Sequence, residues 1–162
     1  MKYLRLARIE KETLWRELEE MPDFLAERFA SLRPEQRRMR GADGTFSPVE
    51  QSWHLADLER EGFGIRIERL LREDHPLLPD FDGARMAEKH HYNTKSLEEG
   101  IAAFREARSA NLAAFRLLDT EHWLRTGTQE GVGEVSLCDL PLMMAEHDAA
   151  HKAEIRSLTG TK

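Results

Sequence analysis

The chain has 162 residues, of which 33% are charged and 40% are hydrophobic, and its formal net charge is −6. This length predicts one domain, residues 1–162, with a single sizeable core. The negative charge argues against a nucleic-acid partner, because affinity for phosphate backbones depends on accumulated Lys and Arg. Cys138 is the only cysteine, so an internal disulfide and a cysteine-based zinc cage are excluded. Any metal must be held by His, Asp or Glu.

The first residues, "MKYLRLARIEKETLW", carry charges among their apolar side chains. They therefore lack the unbroken apolar stretch of a secretory signal, and no later run approaches membrane-spanning length. We expect a cytoplasmic protein without a membrane partner.

Two helices are predicted in the first half of the chain. Between about residues 13 and 32, apolar residues recur at steps of three and four, which is the spacing of one helix face. The stretch "SPVE" then predicts a helix start, because Ser47 can cap the helix, Pro48 suits its first position and Glu50 completes a capping box. This second helix should end at about Arg72.

Two further helices are predicted in the second half. In "SLEE", Ser96 and Glu99 stand in the same capping relation, and an apolar stripe follows until about Asp119. The fourth helix should begin around Ser136, with Asp139 also suited to a cap. No alternating strand pattern of useful length is present, so the sequence predicts an all-α four-helix bundle.

The connection between the second and third helices, "EDHPLLPDFDGARMAEKHHYNTK", is much longer than an antiparallel hairpin needs. An extended chain covers about 3.3 Å per residue, so this crossover can pass from one end of the bundle to the other. We therefore expect the second and third helices to run parallel.

Two histidines, His147 and His151, lie one helical turn apart in "AEHDAAHKAEI". Residues at i and i+4 project from one helix face, which suits two ligand positions on one ion. Both fall on the inward stripe of the fourth helix, where unpartnered imidazoles would be costly to bury. The pair therefore needs a partner.

His54 in "QSWHLADLE" is the best candidate for that partner. It lies seven residues after Ser47, and His151 lies seven residues before the expected helix end at Leu158, so each is roughly 10 Å from its helix end. These depths coincide if the second and fourth helices are antiparallel. A three-His site leaves coordination positions open, as catalytic zinc, nickel or iron sites do.

Another interpretation stays open, in which the three histidines are hydrogen bonded to nearby carboxylates such as Asp57, Glu146 or Asp148. In a metal site these same three carboxylates are candidates for orienting the ligands. Elsewhere in the sequence, Arg108 and Asn111 interrupt the apolar stripe of the third helix, which predicts a buried polar network.

Five segments in this order, "FSPVEQSWHLADLE", "LLPDFD", "FREARSANLAAF", "HWLRTG" and "EHDAAHKAEI", resemble the DinB-like superfamily of four-helix metal proteins, in particular its members described as metal-dependent hydrolases. The resemblance spans roughly residues 12–158. It implies an up-down-down-up bundle and a divalent metal held by His54 in "WHLADLE" and by His147 and His151 in "HDAAH".

The resemblance also implies a small-molecule substrate, because characterised relatives include transferases that join low-molecular-weight thiols to electrophiles, and thiol-dependent isomerases. Dimers are common among relatives, so a homodimer is expected. One departure concerns specificity: relatives often have a His-Pro pair in the turn before the last helix, where this chain has Gln129 and Glu130.

Three functions are compatible with such a site. In the leading hypothesis the metal lowers the pKa of a small thiol cosubstrate and delivers the thiolate to an electrophile. Arg37, Arg38 and Arg40, in the loop before the second helix, are candidates to receive the carboxylates of the thiol, although such a cluster is more often a solvated basic loop. In the second, metal-bound water makes the protein a hydrolase, with Asp57 or Glu146 as the general base. In the third, a non-catalytic stress-related protein uses the metal for stability.

Overall fold

The computed structural model describes residues 2–160, and most of them are helical. The prediction of a helical fold class is therefore confirmed. A π-helical segment, Leu58–Gly64, joins α3 to α4 in one continuous helical stretch. In chain order the helices and strands are α1 (Lys2–Arg5), α2 (Arg8–Phe29), α3 (Pro48–Asp57), α4 (Ile65–Arg72), β1 (Leu77–Leu78), α5 (Gly83–Lys89), α6 (Leu97–Arg116), α7 (Thr120–Trp123), β2 (Thr126–Gln129), β3 (Gly133–Ser136) and α8 (Leu140–Thr159).

The start of α3 follows the local sequence signals. The Oγ of Ser47 accepts a hydrogen bond from the backbone N–H of Glu50, and the Oε2 of Glu50 accepts one from the backbone N–H of Ser47. Pro48 occupies the first helical position, where its missing N–H leaves no bond unmade. The capping box is therefore present as predicted, and the helical stretch that it opens ends at Arg72.

A small three-stranded sheet lies outside the helices, and no sequence pattern predicted it. β1 pairs with β2 in parallel, and β2 pairs with β3 antiparallel. These strands have two or four residues, too few for an alternating pattern to stand out from the sequence. Because Ser136 lies in β3, the last helix begins at Leu140, later than predicted.

Close contacts set the directions of the helices around the site. Gly100 of α6 lies so near α3 that a Cβ there would be 2.3 Å from the Oγ of Ser52, and Arg108 further along α6 contacts Glu59 in the π-helical segment. Later residues of α6 thus meet later residues of the α3–α4 stretch, so the two run in the same direction. In α8 the order is reversed, since His151 contacts Gln51 whereas the earlier His147 lies beside the later His54.

Apolar side chains fill two clusters inside the bundle. The first includes Leu18, Leu70 and Phe115, and the second includes Leu25 and Leu55, all nearly inaccessible to solvent. Within residues 2–160, no helix is long and apolar enough to cross a membrane.

Candidate metal centre

Three histidines from two helices meet inside the bundle. His54 of α3 and His147 and His151 of α8 each offer a ring nitrogen, and these three atoms lie within 4.8 Å of one another. His54 and His151 are buried, and His147 is half-buried. The structure therefore brings together the three residues that the sequence nominated as metal ligands.

Hydrogen bonds fix which nitrogen of His151 carries its proton. Its Nδ1 lies 2.6 Å from the Oε1 of Gln51 and 3.1 Å from the Oε2 of Glu154. The Gln51 Nε2 donates to that same carboxylate oxygen, which orients the amide. Because an amide oxygen and a carboxylate only accept hydrogen bonds, Nδ1 of His151 must be the donor. Its Nε2 therefore carries a lone pair, which lies on the side of His147.

The spacing of the imidazoles suits one ion. The Nε2 atoms of His147 and His151 are 3.2 Å apart. Two nitrogens on a tetrahedral ion with bonds of about 2.0–2.1 Å would be separated by about 3.3 Å. The ring centroid of His54 lies 4.9 Å from that of His151 and 5.6 Å from that of His147. The cluster can therefore accept a metal without large movement of its ligands.

The electrostatics favour unprotonated rings. Burial, together with the smaller effect of the neighbouring His151, lowers the pKa of His54 to about 4. Burial and the other two histidines lower the pKa of His147 to about 3. Metal ions bind the neutral imidazole, so both rings are ready to bind a metal at neutral pH without first losing a proton.

The first residue of α5 packs directly on His54. A Cβ at Gly83 would lie 2.6 Å from the Cε1 and 2.8 Å from the Nδ1 of that ring, but 3.8 Å from its Nε2. This Nδ1 is buried and has no hydrogen-bond partner in residues 2–160. Phe46 and Phe81 flank the ring, with centroids at 5.4 and 5.9 Å. The aromatic walls and Gly83 thus fix the position of His54 by packing.

The donor set fits a divalent transition metal. Three neutral imidazoles suit zinc, nickel or iron, and three protein ligands leave at least one position for a substrate or water. His54, His147 and His151 would hold the ion. Gln51 and Glu154 would orient His151, as carboxylates and carbonyls usually do for histidine ligands.

The three carboxylates that the sequence suggested as orienting groups, Asp57, Glu146 and Asp148, have different surroundings in the structure. Asp57 accepts hydrogen bonds from His90, Tyr92 and Arg60, which lower its pKa against the opposing effect of burial. Asp148 is bound to Arg108. Glu146 is exposed and lies on the wall of a cavity beside His147.

Arg108 forms the buried polar network that the sequence predicted. Its guanidinium donates to both oxygens of Glu59 and to both oxygens of Asp148, at 2.7–3.1 Å. Asn111 donates to Glu59 as well. Asp148 follows His147 in α8, so this network fixes the helix that carries two of the three histidines.

Gln51 and Glu154 were not nominated from the sequence as partners of the histidines. Glu154 is three residues after His151 on the same helix face, which is a usable local signal. Gln51 is three residues before His54 on α3, but it bonds to His151 on another helix. Only the packing of the two helices could identify Gln51.

A cavity of about 430 Å³ opens beside the histidines. This volume lies in the range of small-molecule sites. It is lined by His54, Leu58, Phe63, Arg66, Asp80, Phe81, Gln129, Met143, Glu146 and His147.

The basic loop before α3 does not contribute to this cavity. Arg37 pairs with Glu98, Arg40 pairs with Glu50, and Arg38 donates to the backbone carbonyl of Lys95. The arginine on the cavity wall is Arg66, from α4.

The solved structure of YfiT from Bacillus subtilis is similar to this chain, with a TM-score of 0.85 and 21% sequence identity over 94% of this chain and 87% of that chain. YfiT is described as "a probable metal-dependent hydrolase with an unusual four-helix bundle topology". At this identity the likeness shows a common fold. No curated protein matches the chain. The sequence profile of the DinB superfamily matches residues 17–155, most of the chain, which therefore belongs to the DinB superfamily.

Proposed function

We propose that the protein is a metal-dependent hydrolase acting on a small molecule, with His54, His147 and His151 as the metal ligands. The observation that carries the proposal is the cluster itself: three imidazole nitrogens within 4.8 Å, with two of the three histidines on the wall of a 430 Å³ cavity. A site that only stabilised the fold would need no such cavity. The description of YfiT as a probable metal-dependent hydrolase supports the same reaction class.

The residues around the cluster have separate tasks in this proposal. A divalent metal bound there would supply Lewis acidity and lower the pKa of a water molecule. We assign the role of general base to Glu146, an exposed carboxylate on the cavity wall next to His147. The side chains of Leu58, Phe63 and Phe81 exclude bulk water from one side of the cavity.

Metal content and hydrolysis test this proposal together. Protein purified without chelator or metal-affinity resin should contain about one zinc, nickel or iron per chain, and H147A should contain far less, because a three-ligand site loses a ligand. H122A is the matched control, since His122 is exposed and pairs with Asp119 away from the cavity.

The metal-loaded protein should hydrolyse small aryl esters without added thiol, and E146Q should lower kcat by about 100-fold or more while keeping the metal. Absence of metal from both wild type and H147A would refute the ligand set. Bound metal that raises Tm, without turnover of any ester or amide and without conjugation of any thiol, would instead indicate the stress-related binding protein.

A thiol S-transferase is the second candidate. The buried guanidinium of Arg66 on the cavity wall favours this function, because it can pair with the carboxylate of a low-molecular-weight thiol. Arg37, Arg38 and Arg40 do not line the cavity and cannot take that role there. The metal-loaded protein would be incubated with bacterial thiols and monochlorobimane. Conjugation above background that H147A lacks would favour transfer, and hydrolysis in the absence of thiol would favour the first proposal.

The homodimer and the cytoplasmic location expected from the sequence stand as proposals with this function. Light scattering after size-exclusion chromatography would distinguish a dimer from a monomer of 18.7 kDa.

A further inference from the structure

Two polar groups on the wall of the cavity are buried without a partner. Arg66 is 4% exposed and Gln129 is 5% exposed. Within residues 2–160, the Nε of Arg66 and the Oε1 of Gln129 have no hydrogen-bond partner. Leaving a buried donor or acceptor unpaired is unfavourable, and more so for a charged group. Both residues line the same cavity, and a ligand bound in it would supply the partners that these groups lack.

The charge of Arg66 points to the kind of ligand. A guanidinium stays protonated in proteins, so its positive charge persists although burial lowers its pKa and Asp80 acts in the opposite direction. Asp80 is exposed on the same wall and does not hydrogen bond to the Arg66 Nε. The planar guanidinium matches a carboxylate with two parallel hydrogen bonds.

A local distortion of the helix places Arg66 at this cavity. Arg66 is twelve residues after His54, which on a regular α-helix is roughly 120° around the axis at about 100° per residue. A π-bulge accommodates one extra residue and so removes about 100° of that rotation. The π-helical segment Leu58–Gly64 lies between the two residues, and both line the cavity.

Apolar side chains line the rest of the cavity on this side. Leu58, Phe63, Phe81 and Met143 all contribute to its wall. The ring of Phe63 also lies 5.5 Å from the guanidinium carbon of Arg66, which holds that side chain in place. A ligand for this cavity therefore combines an anionic end, an apolar body and a group that donates a hydrogen bond to Gln129.

We propose that the cavity binds a small carboxylic acid with an apolar body, whose carboxylate pairs with Arg66 and whose N–H donates to the Oε1 of Gln129. This inference rests on the proposed function only in treating the bound molecule as the substrate. The pairing itself needs no turnover and can be measured as binding.

A matched pair of probes isolates the carboxylate. N-acetyl-L-leucine and N-acetyl-L-leucinamide share the apolar body and the N–H and differ in the charged group. Titrated into the metal-loaded wild-type protein by calorimetry, the acid should bind about 10- to 100-fold more tightly than the amide, the usual range for a charge-assisted hydrogen bond. Equal affinity would overturn the proposal, and this comparison needs no variant.

Variants then assign the subsite. R66Q should reduce the affinity for the acid by the same 10- to 100-fold and leave the amide unchanged, and Q129L should weaken both probes by about 2- to 10-fold. R72Q is the matched control, because Arg72 is an exposed arginine of the same helix paired with Glu68. A carboxylate bound to the metal itself would give no loss in R66Q, which would overturn the assignment.

Inorganic phosphate is the second arm of the titration. If phosphate bound as tightly as the acid with the same dependence on Arg66, the site would take anions in general and the carboxylate assignment would be overturned. Failure of the carboxylate assignment is distinguishable from failure of the proposed function, because R66Q should keep the full metal content while H147A should not.

Discussion

The Nδ1 of His151 lies 2.6 Å from the Oε1 of Gln51, and this hydrogen bond joins the last helix to the first turn of α3. The same Gln51 donates through Nε2 to Glu154, so the amide links the histidine to a carboxylate that also lies 3.1 Å from its ring. The hydrogen bond from His151 lowers the pKa of Glu154 to about 2. Glu154 therefore carries its full negative charge beside the ring.

Replacing Gln51 by Leu should weaken metal binding while leaving all three ligands in place. The His151 ring would lose a hydrogen bond that sets its tautomer and direction, and loss of such a partner typically costs 10- to 100-fold in metal affinity, or about 1.4–2.8 kcal/mol. Competition with a chromophoric chelator measures the change. Q36L is the control, since Gln36 is remote from the cavity and bonds to Arg33. Equal metal affinity in Q51L and in the wild type would contradict the role of Gln51 in orienting His151.

Gly83→Ala should disturb the site by contact alone. The added Cβ would lie 2.6 Å from the Cε1 of His54, too close for the ring to stay in place. We expect metal affinity to fall by about tenfold or more, which is about 1.4 kcal/mol.

Gly100→Ala provides the comparison, because its Cβ would meet Ser52 at 2.3 Å on another face of α3. G100A should lower Tm and keep the metal affinity of the folded protein. The same loss of affinity in both variants would show that helix packing, and not contact with His54, causes it.

Arg108→Met should destabilise the protein strongly. Arg108 is 2% exposed and pairs with Glu59 and Asp148, so its loss leaves two buried carboxylates without a cation. Breaking a buried pair in this way costs about 3–5 kcal/mol. Urea unfolding followed by circular dichroism would measure the loss.

Arg105→Met on the same helix is the matched control. Arg105 pairs with Asp23, and both side chains are about half exposed, at 47% and 62%. Exposed pairs contribute about 0–1 kcal/mol, so R105M should unfold at nearly the wild-type urea concentration. Similar losses in the two variants would count against the buried network as a special source of stability.

The metal-free protein should become less stable as the pH falls from 7 to 5.5. Burial holds the pKa of His54 at about 4 and that of His147 at about 3, whereas an unfolded histidine takes up a proton near about 6.5. In this window the unfolded state binds more protons, so the free energy of unfolding decreases with falling pH. The two rings together should remove about 2 kcal/mol at pH 5.5.

Urea unfolding at several pH values checks this expectation. In H147L the free energy of unfolding should change with pH by about half as much as in the wild type. Glu154 also has a lowered pKa, but its contribution is lost only as the pH falls below about 4.5, outside the window. A free energy of unfolding that is flat between pH 7 and 5.5 would show that the two rings take up protons in the folded state.

Local sequence signals were sufficient for the four long helical stretches, apart from the start of the last one, and for nominating the histidines. Ser47, Pro48 and Glu50 are neighbours in the chain, so their capping box needs no tertiary contact to be recognised. His147 and His151 share a face because of helical periodicity alone. Counting rise from the helix ends was enough to pair them with His54, because regular helices keep about 1.5 Å per residue.

Tertiary structure decided the remaining features of the fold and of the site, because they depend on residues far apart in the chain or on a break in the helical periodicity. Gln51 and His151 are a hundred residues apart, and only the packing of α3 against α8 makes them partners. The short strands are held by pairing with one another and leave no periodic pattern in the sequence. The π-helical segment changes the phase of the helix, so Arg66 reaches the cavity from a position that regular α-helical counting assigns to another face.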